Sequence, residues 1–398
     1  MSNNIAPLIN LLITTAKYDV AAHEQFKGFG EIKFVGIEGQ KIYYNTLDKL
    51  YASNHEIEST ITLERYEREL IHIVTTFKKE NKICSQTDVT TFNQTLLQIP
   101  NVESEILYEL FGAVMNCPDL EFGDFTVYNY EKSYDTLILK YPDLNSMKDV
   151  FFGDWQPKLL IGIKVKAREQ SKAIELADKL CESFENVFSY VISDLNHKLR
   201  ISILSYNERI SINRIIGNTK AMGIHMHNKN LITYVNLEDT FFKRADQGYD
   251  KVWGLITKDR NDIEKRIFIA IEWVGKAVQE IDKSKSLVQF IFAIEAMLQP
   301  DKREFVSPSI VSQLSEWSAF IINDEKEKRK EIAKYFKDLY SIRSAIAHGA
   351  SKEVSMDSLQ IALQIIKLII LAFLTQEPYK NMQKFDELQN VMTDLKFS

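Results

Sequence analysis

The sequence predicts an α+β N-terminal half followed by an all-α helical bundle at the C-terminus. Three observations carry that division. Between residues 121 and 206, short runs rich in β-branched and aromatic residues flank one amphipathic helical stretch, a strand-helix-strand pattern. From Asn261 onward the strand signal is lost and apolar residues recur at helical spacing. Finally, 398 residues are more than one core comfortably serves, so two domains are expected, 1–250 and 258–398, with a further division near 120.

In chain order, a helix is expected over 7–26. A hairpin over 31–44 follows, turning at Glu38-Gly39, on the alternation Ile32, Phe34, Gly36 and Ile42, Tyr44. Helical stretches run through 56–79. Strands are expected at 125–130, 136–141, 159–167 and 199–206. Between the last two, the helix 171–192 sets Ile174, Leu176, Leu180, Phe184, Val187 and Tyr190 on one broad apolar face.

In the C-terminal part, the helix 262–281 carries Ile263, Ile267, Ile271, Val274 and Val278 at helical spacing. The next, 286–298, is apolar nearly all round and stops before Pro300. A third starts near Ser307-Pro308, where proline suits a first turn, and runs past Trp317 to Ile322. The fourth starts at an Asn323 or Asp324 cap, has Glu325 and Glu327 near the positive end of its dipole, and stops at His348-Gly349. The fifth, 355–376, closes the bundle before Pro378. Its most apolar part, 361–374, contains Gln364 and Lys367 and is shorter than the ~20 residues a membrane helix needs. It reads as a buried bundle helix or a dimer face.

Composition excludes several classes. A formal charge of -6 gives no global attraction to a polyanion, so contact with nucleic acid requires a local basic patch. Cys84, Cys117 and Cys181 lie far apart without a Cys-x-x-Cys pair, which fits neither a disulfide framework nor a thiolate metal site. With no basic leader at Met-Ser-Asn-Asn-Ile-Ala-Pro, a cytoplasmic protein is expected. The chain has no Walker loop and no Gly-x-Ser-x-Gly elbow, and no cofactor is expected. His225-Met-His227 has no acidic or thiolate neighbour and reads as a loop. Phe151, Phe152 and Trp155 are read as core residues rather than base-stacking platforms.

One constellation carries chemistry. Arg343-Ser-Ala-Ile-Ala-His348 lies at the end of the fourth helix, where a five-residue step separates Arg343 and His348 by ~140°. Serving one phosphate therefore requires a distorted helix end, side chains bridging a cleft, or a second protomer. Ser344 shares the face of His348 and can hold a ring nitrogen or touch phosphate. Glu295 is the sole ionisable side chain of the 286–298 stretch. If buried it needs a partner, and Arg343 fits because its fork can engage both oxygens. Arg329, ~40° from Arg343 in direction, can extend a phosphate track. The bland alternatives are a snorkelling arginine, a histidine favoured at a helix C-terminus, a structural ion pair and a solvated basic face.

The stretch Leu287-Val-Gln-Phe-Ile-Phe-Ala-Ile-Glu-Ala-Met-Leu298, followed by Leu339-Tyr-Ser-Ile-Arg-Ser-Ala-Ile-Ala-His-Gly349 and a Leu/Ile-rich helix, resembles the Apea-like branch of the HEPN superfamily over about 258–390. The resemblance implies a dimerising HEPN-type bundle whose Arg343 and His348 form a metal-independent endoribonuclease centre, with a role in antiviral defence by abortive infection. Many members have Asn, Asp or His after the arginine, where this chain has Ser344. The chemistry needs few parts, because RNA brings its own 2′-OH nucleophile. Histidine, with an ordinary pKa near ~6.5, serves as base or acid, and arginine suits the phosphorane oxygens. Two alternatives stay open: a non-catalytic HEPN module binding RNA or nucleotide, and a toxin silenced by an antitoxin partner. The N-terminal half is expected to hold a trigger or a regulatory partner.

Overall fold

The computed structural model describes residues 5–18, 24–142, 159–203, 234–300, 310–349 and 352–397, together with the backbone of 212–217 and 222–227. An α+β region is followed by a C-terminal region of several helices. By contact the chain forms two compact units, residues 1–106 with 164–177, and residues 107–163 with 178–398. This division falls elsewhere than the expected one near 250. Residues 107–163 and 178–250 belong to the same unit as the C-terminal helices.

The first unit contains α1 (Ala6–Thr15), the hairpin β1 (Phe26–Phe29) and β2 (Ile32–Val35), then α2 (Gly36–Ala52), α3 (His55–Thr60), α4 (Leu63–Lys79) and α5 (Gln86–Leu97). Its core gathers Ile9, Leu12, Phe34, Tyr43, Leu50, Tyr66, Leu70 and Phe92. Helix α1 is shorter than expected: the chain is extended at Ala16, and Lys17 bridges Lys33. The hairpin also differs from the sequence reading. Ile32 and Phe34 do point inward, but their partner strand lies upstream, with Phe29 opposite Ile32 across a turn where Gly30 takes φ +59°. Glu38 and Gly39 sit in the first turns of α2, whose buried Tyr43, Leu47 and Leu50 follow helical spacing while Tyr44 is exposed. Ile42, partly buried, and the exposed Tyr44 therefore flank the buried Tyr43 on a helix.

In the second unit, β5 (Asp119–Phe122) and β6 (Phe125–Asn129) form a tight antiparallel hairpin around Gly123. Strand β6 pairs in turn with β7 (Leu159–Ala167), within a sheet ordered β3-β7-β6-β5, where β3 is Val102–Leu110. The expected strand 136–141 is instead the second half of α6 (Tyr130–Lys140). Asn129 caps it at Lys132 N–H, and Tyr130, Ser133 and Leu137 are buried at helical spacing, leaving Leu139 outward. In the expected strand 199–206, Ser202 forms an isolated bridge with Phe111, and residues 204–206 lie outside the described residues. Helix α7 (Gln170–Ile192) matches its expected span, although Ile174 faces outward. Its Phe184 meets Phe122, Phe125 and Trp253 at ring distances of 4.8–5.9 Å in one aromatic core.

After the short α8 (Tyr249–Val252) come α9 (Asp262–Gln279), α10 (Lys283–Leu298), α11 (Ile310–Ile322), α12 (Lys326–Ala347) and α13 (Met356–Thr375). These follow the expected order, and the start expected for α11 at Ser307-Pro308 lies outside the described residues. Helix α13 does not close the bundle. A further helix, α14 (Phe385–Phe397), buries Phe385, Leu388 and Met392, and the Phe385 N–H donates to Asp262 in the first turn of α9. The Arg266 guanidinium, 4.0 Å from the Phe385 ring, donates to the carbonyls of Ala296 and Gln299 at the end of α10.

Helix α13 spans 20 residues and, among the described residues, is the helix long and apolar enough to cross a membrane, yet more than half of it is buried inside the protein. At its middle Lys367 donates to Ser193 Oγ (2.7 Å), Tyr249 Oη (2.7 Å) and the Tyr190 carbonyl (3.3 Å), all neutral acceptors. Burial pushes its pKa down from 10.5 to about 8. The Tyr249 hydroxyl, pushed up to about 12 by burial, stays protonated over the same range. Below about pH 8 the lysine is charged in both folded and unfolded chains. Between about pH 8 and 10.5 the unfolded chain binds the extra proton, so raising the pH stabilises the fold. Chemical denaturation of the parent and Lys367→Met should show the parent gaining on the variant across this window, by up to about 3 kcal/mol. Parallel profiles would contradict the burial argument.

Candidate functional site

Helices α10 and α12 build the site. On α10, Phe292 and Glu295 stand one turn apart. On α12, Phe336 and Leu339 anchor the helix in the core, and Tyr340 and Arg343 follow half-buried one turn later. The Arg343 guanidinium lies 3.6 Å from Glu295 Oε2, the partner expected from the sequence, and Tyr340 Oη donates to Glu295 Oε1 at 3.1 Å. The guanidinium carbon stands 5.4 Å from the ring centres of both Phe292 and Tyr340. Trp273 of α9 meets Phe292 edge-on at 5.2 Å.

The sequence reading missed this aromatic cradle, although Tyr340 and Phe292 each precede a predicted site residue by three positions on the same helix. At 3.6 Å the ion pair is a single contact rather than a bidentate fork. Arg343 Nε has no hydrogen-bond partner among the described residues. That nitrogen is buried, so the end of the guanidinium, on a side chain 23% exposed, is the part an anion could reach.

His348 is the C-cap of α12. Its N–H donates to the Ser344 carbonyl at 3.1 Å, and Gly349 turns the chain away at φ +78°. The helix is regular through Ala347, so the distortion that would bring His348 beside Arg343 does not occur, and the two directions stay ~140° apart. The His348 side chain is exposed, and among the described residues its imidazole has no hydrogen-bond or ion-pair partner. Ser344 lies on the same face, and its hydroxyl does not hold the ring. Lys352 reaches back to within 3.5 Å of Ser341 Oγ. Ser341 precedes His348 by seven residues, ~20° away in direction and about two turns (~10 Å) back along the helix, so the cation lies on the same side of α12 as His348 without meeting it. No spacing rule could place Lys352 there, because it lies past the turn.

The structure places Arg329 apart from this group. Its Nε donates to the Asn323 carbonyl at 2.7 Å, its Nη2 stands 3.4 Å from Asp324, and its guanidinium lies over the Phe320 ring. It ties down the end of α11. Lys328 and Lys330 pair with Glu325 and Glu327 three residues earlier, as a solvated basic face does. The side chains of His225 and His227, and Phe151, Phe152 and Trp155, lie outside the described residues. Among the described residues no cluster of His, Cys, Asp and Glu could hold a metal ion.

Removing the carboxylate with Glu295→Ala leaves Arg343 and Tyr340 without their shared acceptor. This is expected to destabilise the protein by about 1–3 kcal/mol. Glu295→Gln keeps an oxygen for Tyr340 and should be milder. Equal melting temperatures for parent and Glu295→Ala would mean that the contact contributes nothing. Comparison of the chain with family models, with curated proteins and with solved structures gives no match.

Proposed function

We propose that the C-terminal helices form a HEPN-type endoribonuclease that cuts RNA without a metal, with Arg343 and His348 as its catalytic residues. The observation that carries this reading is the end of α12, where a half-open guanidinium held in place by Glu295 and two rings accompanies a solvent-facing imidazole. In the reaction an imidazole takes the proton of the 2′-OH, the 2′ oxygen attacks phosphorus, the P–O5′ bond breaks, and a second imidazole protonates the departing O5′. Arg343 stabilises the charge on the phosphorane oxygens. The products are a 2′,3′-cyclic phosphate and a 5′-OH.

The ~140° between the two side chains on a regular helix favours a cleft shared by two protomers, which also supplies the second histidine. A homodimer follows from this argument rather than from α13, whose apolar surface is largely covered within one protomer. Arg329 is left out of the RNA path, since it is tied to the end of α11. Lys352 is the better-placed cation. A cytoplasmic role in antiviral defence, with the N-terminal half receiving a trigger, completes the proposal.

The test is incubation of the purified full chain with total RNA and with tRNA in excess chelator. Cleavage should persist, and a kinase should label the new 5′-OH ends directly. Cleavage only in Mg²⁺ would overturn the mechanism. One observation favours a second reading, a binding module without cleavage: Glu295 already meets part of the Arg343 charge. RNA binding with no cut ends would select it, and a silencing partner that abolishes cutting would mark a toxin.

A further inference from the structure

We propose that a cavity between the start of α9 and the end of α13 binds the phosphate of a small phosphorylated ligand of nucleotide size. The cavity measures about 330 Å³, at the lower end of the range for small-ligand sites. Three ammonium groups line it, Lys251, Lys258 and Lys380, against one lining carboxylate, Glu264. Lys251 donates to the Leu374 carbonyl at 2.6 Å and has no carboxylate partner among the described residues. Lys258 pairs with Glu264 at 2.5 Å, and Lys380 with Glu377 at 3.0 Å.

Each ammonium carries three N–H donors and uses one, so the cavity retains an excess of donors and of positive charge. A neutral ligand would satisfy neither. The start of α9 adds little, because Asn261 and Glu264 cap each other and the Ile263 N–H donates to the Gln383 carbonyl. The lysines themselves make the site. Of the carboxamides in the lining, Asn261 caps Glu264 and Asn381 donates to Glu377, which leaves Gln383 to pair with a hydroxyl or heterocyclic group on the body of the ligand. The apolar residues beneath, including Ile267 and Phe373, are buried in the core and give the cavity a rigid floor. The ligand is therefore polar and anionic, and larger than free phosphate.

The site is separate from Arg343 and His348, and the proposal does not rest on RNA cleavage. Calorimetry and thermal melting of the full chain would use inorganic phosphate, a nucleoside 5′-diphosphate, a sugar phosphate, an unphosphorylated nucleoside and, as a control, sulfate. The expected result is saturable binding of a phosphorylated ligand that raises the melting temperature, tighter than phosphate or sulfate, with none for the nucleoside. Preference between the diphosphate and the sugar phosphate identifies the body. The double variant Lys258→Gln/Lys380→Gln breaks two partly exposed surface pairs and should fold normally. It should weaken binding by about tenfold or more, whereas Arg343→Ala should not. Absence of binding at millimolar ligand, equal binding of all anions, full retention in the double variant, or loss in Arg343→Ala would each overturn the proposal.

Discussion

Replacing His348 with alanine is expected to lower RNA cleavage by about 10²–10⁴-fold, the range for loss of a general acid or base, with little change in stability. The two halves of this expectation have separate causes. The imidazole is exposed at a helix cap and makes no hydrogen bond or ion pair among the described residues, so its loss removes no core volume and leaves no buried group unpaired. Its only role under the proposed mechanism is moving a proton.

Arg343→Ala should lose cleavage to a similar extent, through the phosphorane charge. It should also destabilise the protein modestly, since Glu295 and the faces of Phe292 and Tyr340 lose their cation. Mixed dimers also test the shared cleft. A dimer of one parent and one His348→Ala protomer holds a single histidine where the mechanism uses two, so in co-expressed mixtures cleavage should fall with the square of the parent's share. Activity in simple proportion to that share, or a His348→Ala chain as active as the parent, would rule out the shared cleft. Unfolding curves run beside the assays separate lost chemistry from a lost fold.

The second large effect is on stability. Gly275, in the middle of α9, lies against the backbone of Asn186 in α7, and a Cβ placed there would stand 2.2 Å from the Asn186 carbonyl oxygen and 2.6 Å from its Cα. Helix propensity alone favours alanine over glycine by roughly 0.5–1 kcal/mol. A backbone contact cannot yield as a flexible side chain can, so close approach wins over propensity. Gly275→Ala should destabilise by about 1–3 kcal/mol, and Gly275→Val by more. Urea titration with far-UV circular dichroism would measure both. A Gly275→Ala protein as stable as the parent would show that the two helices can move apart freely.

The sequence by itself determined the α+β-then-helical order, the spans of α7, α9, α10, α12 and α13, and the Glu295–Arg343 pairing. The reason is physical: long helices repeat their apolar positions many times, and a lone carboxylate on an apolar helix must find a cation. Short elements repeat too little to decide. The run at 136–141 reads as a strand until the Asn129 cap and the burial of Ser133 make it part of a helix, and Ile42 and Tyr44, on either side of the buried Tyr43, mimic alternation on α2. Only the tertiary structure decided that the unit boundary falls near 106 rather than 250, because aromatic contacts of Phe122 and Phe125 with Phe184 and Trp253 join residues far apart in sequence. The same holds for the site. Spacing put Arg343 and His348 on one helix and in different directions, but packing decided that Arg343 is cradled by rings, that Arg329 is tied to a neighbouring helix end, and that Lys352 folds back onto α12 at Ser341.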